Sequence, residues 1–295
     1  MRSKWHNDLL IAHLNELQEN TSNGVYLKDM LSYFSNQMLI SQGVADKTVQ
    51  YKYYYQLHKL LNIERLDRSD YTYTRIGKAH DGGYILAVKK DGTPTDTKTA
   101  YSLGICHDVS FDLAIAKKGY EVYQYDHTID ALPKNCRRFH WRKLGLTGKN
   151  ETEQLKSLET VIRQDKNDNK SGMLLKCDIE GWEWDMLADC SDDILCRFDQ
   201  IVIELHDLLD LTKSERILSV LGKLAVTHQA IHIHSNNNRV VNYSSDLITP
   251  DVLEVTYVLK SKYKTRPCDI LLPTELDQVN NVNLIDVPLG RWNVK

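Results

Sequence analysis

No apolar run in this sequence approaches the roughly 18 residues that a helix needs to cross a bilayer. The N-terminus, MRSKWHNDLL, also lacks the apolar centre of a signal peptide. A cytoplasmic protein without a membrane span is the expectation. CxxC pairs are absent too. The six cysteines stand at 106, 136, 177, 190, 196 and 268, three of them inside apolar strand-like or helix-like segments, so buried free thiols are expected. Neither sign of charge is in large excess: the net charge of −3 excludes the basic footprint of a general nucleic-acid binder. The GxGxxG fingerprint of dinucleotide binding is missing, as is any repeat or low-complexity tract.

What is present is an ordinary globular composition, 42% hydrophobic and 26% charged over 295 residues. That length holds one large α/β domain, or a smaller domain with a helical addition. Residues 1–66 read as helices: WHNDLLIAHLNELQE, YLKDMLSYFSNQMLISQG and KTVQYKYYYQLHKLLN repeat apolar positions at three- and four-residue spacing. They predict an N-terminal extension that packs on the main domain, serves a homodimer, or does both. The tyrosines of YKYYYQ are expected to pack.

Residues 67–295 read as one domain. YTYTRIG and GYILAVKK flank the turn HDGG and predict a two-stranded ribbon. Strand AYSLG, helix FDLAIAKKG, strands EVYQYD and CRRFHW, helix ETEQLKSLETVIRQ, strand MLLKCD, helix WEWDMLADC, strand QIVIELH and helix KSERILSVLGKLA follow. This alternation predicts a doubly wound, mainly parallel sheet, and the late strands QAIHIHS and LEVTYVLK suggest an antiparallel edge. The basic cluster KNCRRFHWRK, 134–143, reads as a solvated strand edge or as a patch for an anionic substrate.

In such a sheet, ligands bind at the carboxyl ends of the strands. There the sequence places Gly104, then Asp126 about 20 residues on, suited to accept hydrogen bonds from ribose hydroxyls. Asp178 closes the strand MLLKCD and is followed by Glu180; Glu183 is expected to be a helix-face residue. Glu204 and His206, at i and i+2, share a face of their strand, as do His232 and His234, with Asn236 and Asn237 next. A carboxylate closing a buried strand needs a ligand, a metal or donors to offset its desolvation.

Five segments carry a resemblance: RIGKAHDGGYIL (75–86), AYSLGICHDVSFD (100–112), VYQYDHT (122–128), LLKCDIEGWEWDML (174–187) and IVIELHDL (201–208). The chain resembles the FkbM-like branch of class I S-adenosylmethionine-dependent methyltransferases. The resemblance implies a Rossmann-like sheet of seven strands flanked by helices, with the cofactor over the first two. Gly104 would line its methionine part and Asp126 would hold its ribose. Typical members carry a second glycine where this chain has Cys106. Asp81, in DGGY just before the cofactor strand, would fold toward the same ligand. The implied acceptor is a hydroxyl of a sugar, polysaccharide precursor or related natural product.

Methyl transfer to oxygen needs alignment and a sink for a proton. His206 is the candidate general base, with Asp178 and Glu180 beside it, since an imidazole titrates near neutrality. Alternatively Asp178, Glu204 and His206, with His234 as a further candidate, would hold Mg²⁺ or Mn²⁺ and acidify the acceptor. A metal-dependent hydrolase using the same groups plus His232 is the rival enzyme, but does not account for Gly104 with Asp126. A nicotinamide oxidoreductase would account for that pair but lacks its glycine fingerprint, and a non-catalytic nucleotide-binding module is the third class.

Overall fold

The strand–helix alternation folds as a mixed α/β structure on one seven-stranded, mostly parallel sheet. It is described by a computed structural model that covers residues 47–67, 70–243 and 247–294. The first two expected helices, and the homodimer surface assigned to the N-terminal helices ahead of residue 47, lie outside the described residues. The principal elements in chain order are α1 (Lys47–Leu60), β1 (Tyr71–Ile76), β2 (Tyr84–Lys89), β3 (Thr99–Leu103), α2 (Ser110–Lys117), β4 (Glu121–Tyr125), β5 (Phe139–Arg142), α3 (Leu158–Gln164), β6 (Met173–Cys177), α4 (Glu183–Asp189), β7 (Phe198–Leu205), α5 (Ser214–Thr227), β8 (His228–Ser235) and β9 (Leu253–Leu259).

The sheet order is β8-β9-β7-β6-β3-β4-β5. β5, β4, β3, β6 and β7 run parallel, whereas β9 is antiparallel to both its neighbours. The late strands thus form the antiparallel edge expected from the sequence, with β9 inside the sheet and β8 in the outer position. Every residue of β9 is buried, as its apolar LEVTYVL demands, and a strand on each side supplies that cover. As the sequence predicts, β1 and β2 pair into a separate antiparallel ribbon around HDGG.

Period-two alternation sorts the strand side chains onto two faces. Tyr101, Leu103, Leu175, Cys177, Ile201 and Ile203 join a core completed by α1, α3, α4 and α5. Ala100, Val122, Leu174 and Val202 join another beneath α2 and the β1–β2 ribbon. α5 buries Ile217, Val220, Leu221 and Leu224, the three- and four-residue spacing of one helix face. On α1, Tyr53, Tyr54 and Leu57 are buried, and the Tyr53 hydroxyl donates to the Leu208 carbonyl at 3.0 Å.

Two further expectations change, and a third is met. The helix foreseen from residue 151 begins only at Leu158, because Ser157 caps it by accepting from the Thr160 amide while Glu151 accepts from the Ser157 amide and hydroxyl. Of the six cysteines only Cys177 and Cys190 are buried; all are free, and Cys106 and Cys196 are exposed in loops at element ends. The basic cluster forms the outer strand β5 and its flanks. There Arg138 and His140 meet Glu121, Arg142 meets Asp165 and Lys143 meets Asp130, so these cations are paired with acids at a solvated edge. No helix among the described residues is long and apolar enough to cross a membrane.

Candidate active site

The carboxyl ends of β3, β4, β6 and β7 open into a cleft of about 760 Å³, lined by Asp81, Gly104, Cys106, Asp126, Asp178, Glu180 and Glu204 among others. Gly104 makes this crowding feasible. It has φ +76°, and a Cβ there would stand 1.6 Å from the Asp178 carbonyl oxygen, so the turn after β3 and the end of β6 touch only because no side chain intervenes. Nearby Cys106 adopts φ +48°, the left-handed region.

Asp126 organises this loop. One oxygen accepts from the Ile105 and Cys106 amides at 2.8 Å, the other from the Thr128 amide and hydroxyl at 2.7 and 2.6 Å. Burial would raise its pKa, but these donors outweigh it and hold the carboxyl below its ordinary range. Four accepted bonds occupy the four lone-pair positions of the carboxylate and shape the loop that borders the cleft, so the ribose contact expected of Asp126 would share an oxygen with one of these donors. Lys176, buried in β6, donates to the Leu103 and Gly104 carbonyls and ties the same turn from the other side.

Opposite lies the acidic corner. Asp178 Oδ2 accepts from the Tyr84 hydroxyl at 3.2 Å, which anchors the DGGY turn to β6. Asp81 stands at the rim with Asn280 Nδ2 3.5 Å away. Glu204, 4% exposed, accepts from Asn236 Nδ2 at 2.8 Å. Burial, reinforced by Asp178 and Glu254, pushes its carboxyl well above the usual range, with His206 opposing. Glu180 is a rim residue, at φ +53°, with Arg239 Nη2 3.3 Å from its carboxylate.

His206 directly follows β7 and is 5% exposed. Its backbone amide and Nδ1 both meet Glu183 Oε1, at 2.8 and 3.1 Å, and its carbonyl accepts from Trp184 Nε1 at 2.9 Å. Nε2 has no hydrogen-bond partner among the described residues; carboxylate oxygens of Glu180 and Asp178 stand 3.5 and 3.9 Å away. Burial alone would lower the pKa of this imidazole, yet Glu183, with Glu204 and Asp178, holds it well above its ordinary value.

Glu183 corrects the sequence expectation of an ordinary helix-face residue, since it is wholly buried and also accepts from the Gly181 amide at 2.9 Å. Helical spacing carried the signal: Glu183 lies three and four residues before Met186 and Leu187, on the stripe that α4 buries.

Asp178, Glu204 and His206 each present one ligand atom, all within 4.8 Å of one another, and no other such group occurs among the described residues. The histidines of β8 are used elsewhere. His232 Nε2 meets Asp277 at 2.8 Å, and His234 lies between Glu254 at 3.5 Å and Asp286 at 3.1 Å. A scan against protein-family models finds no match to this sequence, and a search of curated proteins finds none.

Proposed function

We propose that this chain is an S-adenosylmethionine-dependent O-methyltransferase of the class I fold, acting on a hydroxyl of a sugar, polysaccharide precursor or related natural product. The observation that carries the proposal is a cleft over the first two strands of the sheet, β3 and β4, whose walls carry more carboxylates than cations. Asp81, Asp108, Asp126, Asp178, Glu180 and Glu204 face it against Lys78, Lys176 and Arg239. Such a surface favours a cationic sulfonium over a diphosphate. The first turn of α2, where a dinucleotide's phosphates would need to sit, is already met by Asp108, which accepts from the Ser110 amide at 3.0 Å and hydroxyl at 2.8 Å.

The bound cofactor supplies an electrophilic methyl group. Gly104 and Cys106 border the position proposed for its methionine part, Asp126 holds that loop in shape, and Ile105, Leu146 and Ile179 offer apolar cover for a base. The acceptor hydroxyl would lie toward Asp178, Glu204 and His206. Glu183 holds His206 Nδ1, so when the imidazole gives up the second proton that the surrounding carboxylates favour, the remaining one stays on Nδ1 and the Nε2 lone pair faces the carboxylates. That lone pair can assist the acceptor in two ways, by taking its proton or by ligating a cation that acidifies it.

The carboxylate–imidazole corner would serve a metal-dependent hydrolase equally well, and ligand preference separates the two. S-adenosylhomocysteine is expected to raise the melting temperature while NAD does not, since a ligand at 100 times its Kd stabilises by about 2.7 kcal/mol. Stabilisation by NAD, or by neither nucleotide, would sink the proposal.

A further inference from the structure

We propose that Asp178, Glu204 and His206 form a binding site for one divalent cation of the magnesium or manganese type, and that Glu183 is the positioning residue that presents His206 to it. The cation site does not depend on the identity of the nucleotide cofactor.

The donor set sits at one point of the fold because β6 and β7 are adjacent parallel strands whose carboxyl ends deliver Asp178 and Glu204–His206 to the same corner. Donor atoms sharing one octahedral magnesium lie about 3 Å apart when neighbouring and about 4 Å when opposite. The His206 Nε2 to Asp178 Oδ1 distance of 3.9 Å falls within that span. Two carboxylate oxygens are hard donors suited to these ions, the borderline imidazole nitrogen favours manganese over magnesium, and three protein ligands leave positions for water and an acceptor oxygen.

An acidic cluster alone is commonplace; the imidazole is the independent sign. Its Nε2 is a polar atom in a side chain only 5% exposed, without a hydrogen-bond partner among the described residues, and it points at the carboxylates. A buried polar atom left without a partner is costly, and a cation in front of it removes the cost. The nearby ammonium of Lys176 is engaged with the Leu103 and Gly104 carbonyls and lies 3.7 Å from Asp178 Oδ2, whereas His206 Nε2 faces Oδ1.

Glu183 supplies what such a ligand requires behind it. A metal-binding imidazole characteristically gives its other N–H to a carboxylate, which selects the tautomer and orients the ring. Here Glu183 Oε1 takes the His206 amide at 2.8 Å and Nδ1 at 3.1 Å, while Trp184 Nε1 holds the carbonyl, so backbone and ring are clamped by the first two residues of α4.

The test is a titration of the metal-stripped full chain with MnCl₂, read by calorimetry and by electron paramagnetic resonance. One Mn²⁺ should bind, with a spin-echo modulation from a single imidazole nitrogen. Asp178→Asn should abolish binding. Glu183→Gln should weaken it by about 10- to 100-fold and broaden or remove the nitrogen signature, with the circular dichroism spectrum unchanged. If Glu183→Gln does not fold, Asp178→Asn, at a partly exposed side chain, still decides the site. No Mn²⁺ binding at millimolar concentration, or binding indifferent to Asp178→Asn, overturns the cation site; wild-type affinity and signature in a folded Glu183→Gln overturn the positioning role. S-adenosylhomocysteine is titrated separately, so metal binding without nucleotide binding would refute the transferase and leave the cation site standing.

Discussion

At the scale of single residues, Gly104 is the least replaceable position at the cleft. Its left-handed φ and the 1.6 Å approach of a would-be Cβ to the Asp178 carbonyl oxygen leave any side chain without room. Gly104→Ala should either cost more than about 3 kcal/mol of stability or push the β6 terminus outward, because both backbone strain and a backbone clash must be relieved. Denaturant midpoints together with Mn²⁺ affinity check this; unchanged values for both would contradict the close packing of β3 on Asp178. Cys106, also left-handed, illustrates a lesser strain, because it is exposed and its loop is held by Asp126 through the Ile105 and Cys106 amides. Glu183 shows how an acidic residue in a helix can be hidden from a charge-based reading, although its place on the apolar stripe of α4 marks it for burial.

At the scale of elements, α1 belongs to the core that covers one face of the sheet. Leu57 is fully buried there with Leu61, Leu221 and Leu224 in the same cluster. Leu57→Ala is expected to destabilise the whole fold by about 2–5 kcal/mol, the usual cost of a buried leucine with its cavity. A cooperative loss of that size in urea, seen by both tryptophan fluorescence and far-ultraviolet dichroism, would show that α1 folds with the sheet; a loss under about 0.5 kcal/mol would make it a loosely attached appendage. α4 links packing to chemistry. Its apolar residues Trp184, Met186 and Leu187 fasten the helix to the core, and that attachment fixes Glu183 and Trp184 against His206.

At the scale of the molecule, two buried histidines should shape stability against pH. Burial pushes His228 down to about 4, its neutral ring meeting the Phe198 carbonyl at 3.0 Å and the Thr227 hydroxyl at 2.8 Å. The unfolded chain takes up that proton near pH 6.5, so stability is lost as pH falls from there toward 4, by on the order of 3 kcal/mol. His234 behaves oppositely. Burial opposes its charge, but Asp286 and Glu254 raise it to about 10, so its contribution is complete below pH 6.5 and is lost as pH rises through 10. Melting temperatures from pH 4 to 10 should therefore fall on both sides of about 6.5, with His228→Gln flattening the acid limb and His234→Gln the alkaline one. Limbs unchanged in the two variants would show that other groups set them. Taken alone, the sequence determined the α/β class, the ribbon around HDGG and the strand-end positions of Gly104, Asp126, Asp178, Glu204 and His206, because period-two and helical spacing are local properties written in adjacent residues. Only the tertiary structure decided that β9 enters the sheet between β7 and β8, that His232 and His234 turn to Asp277 and Asp286, and that Glu183 lies behind His206. Those outcomes depend on contacts between distant segments, and no local pattern encodes which distant segments meet.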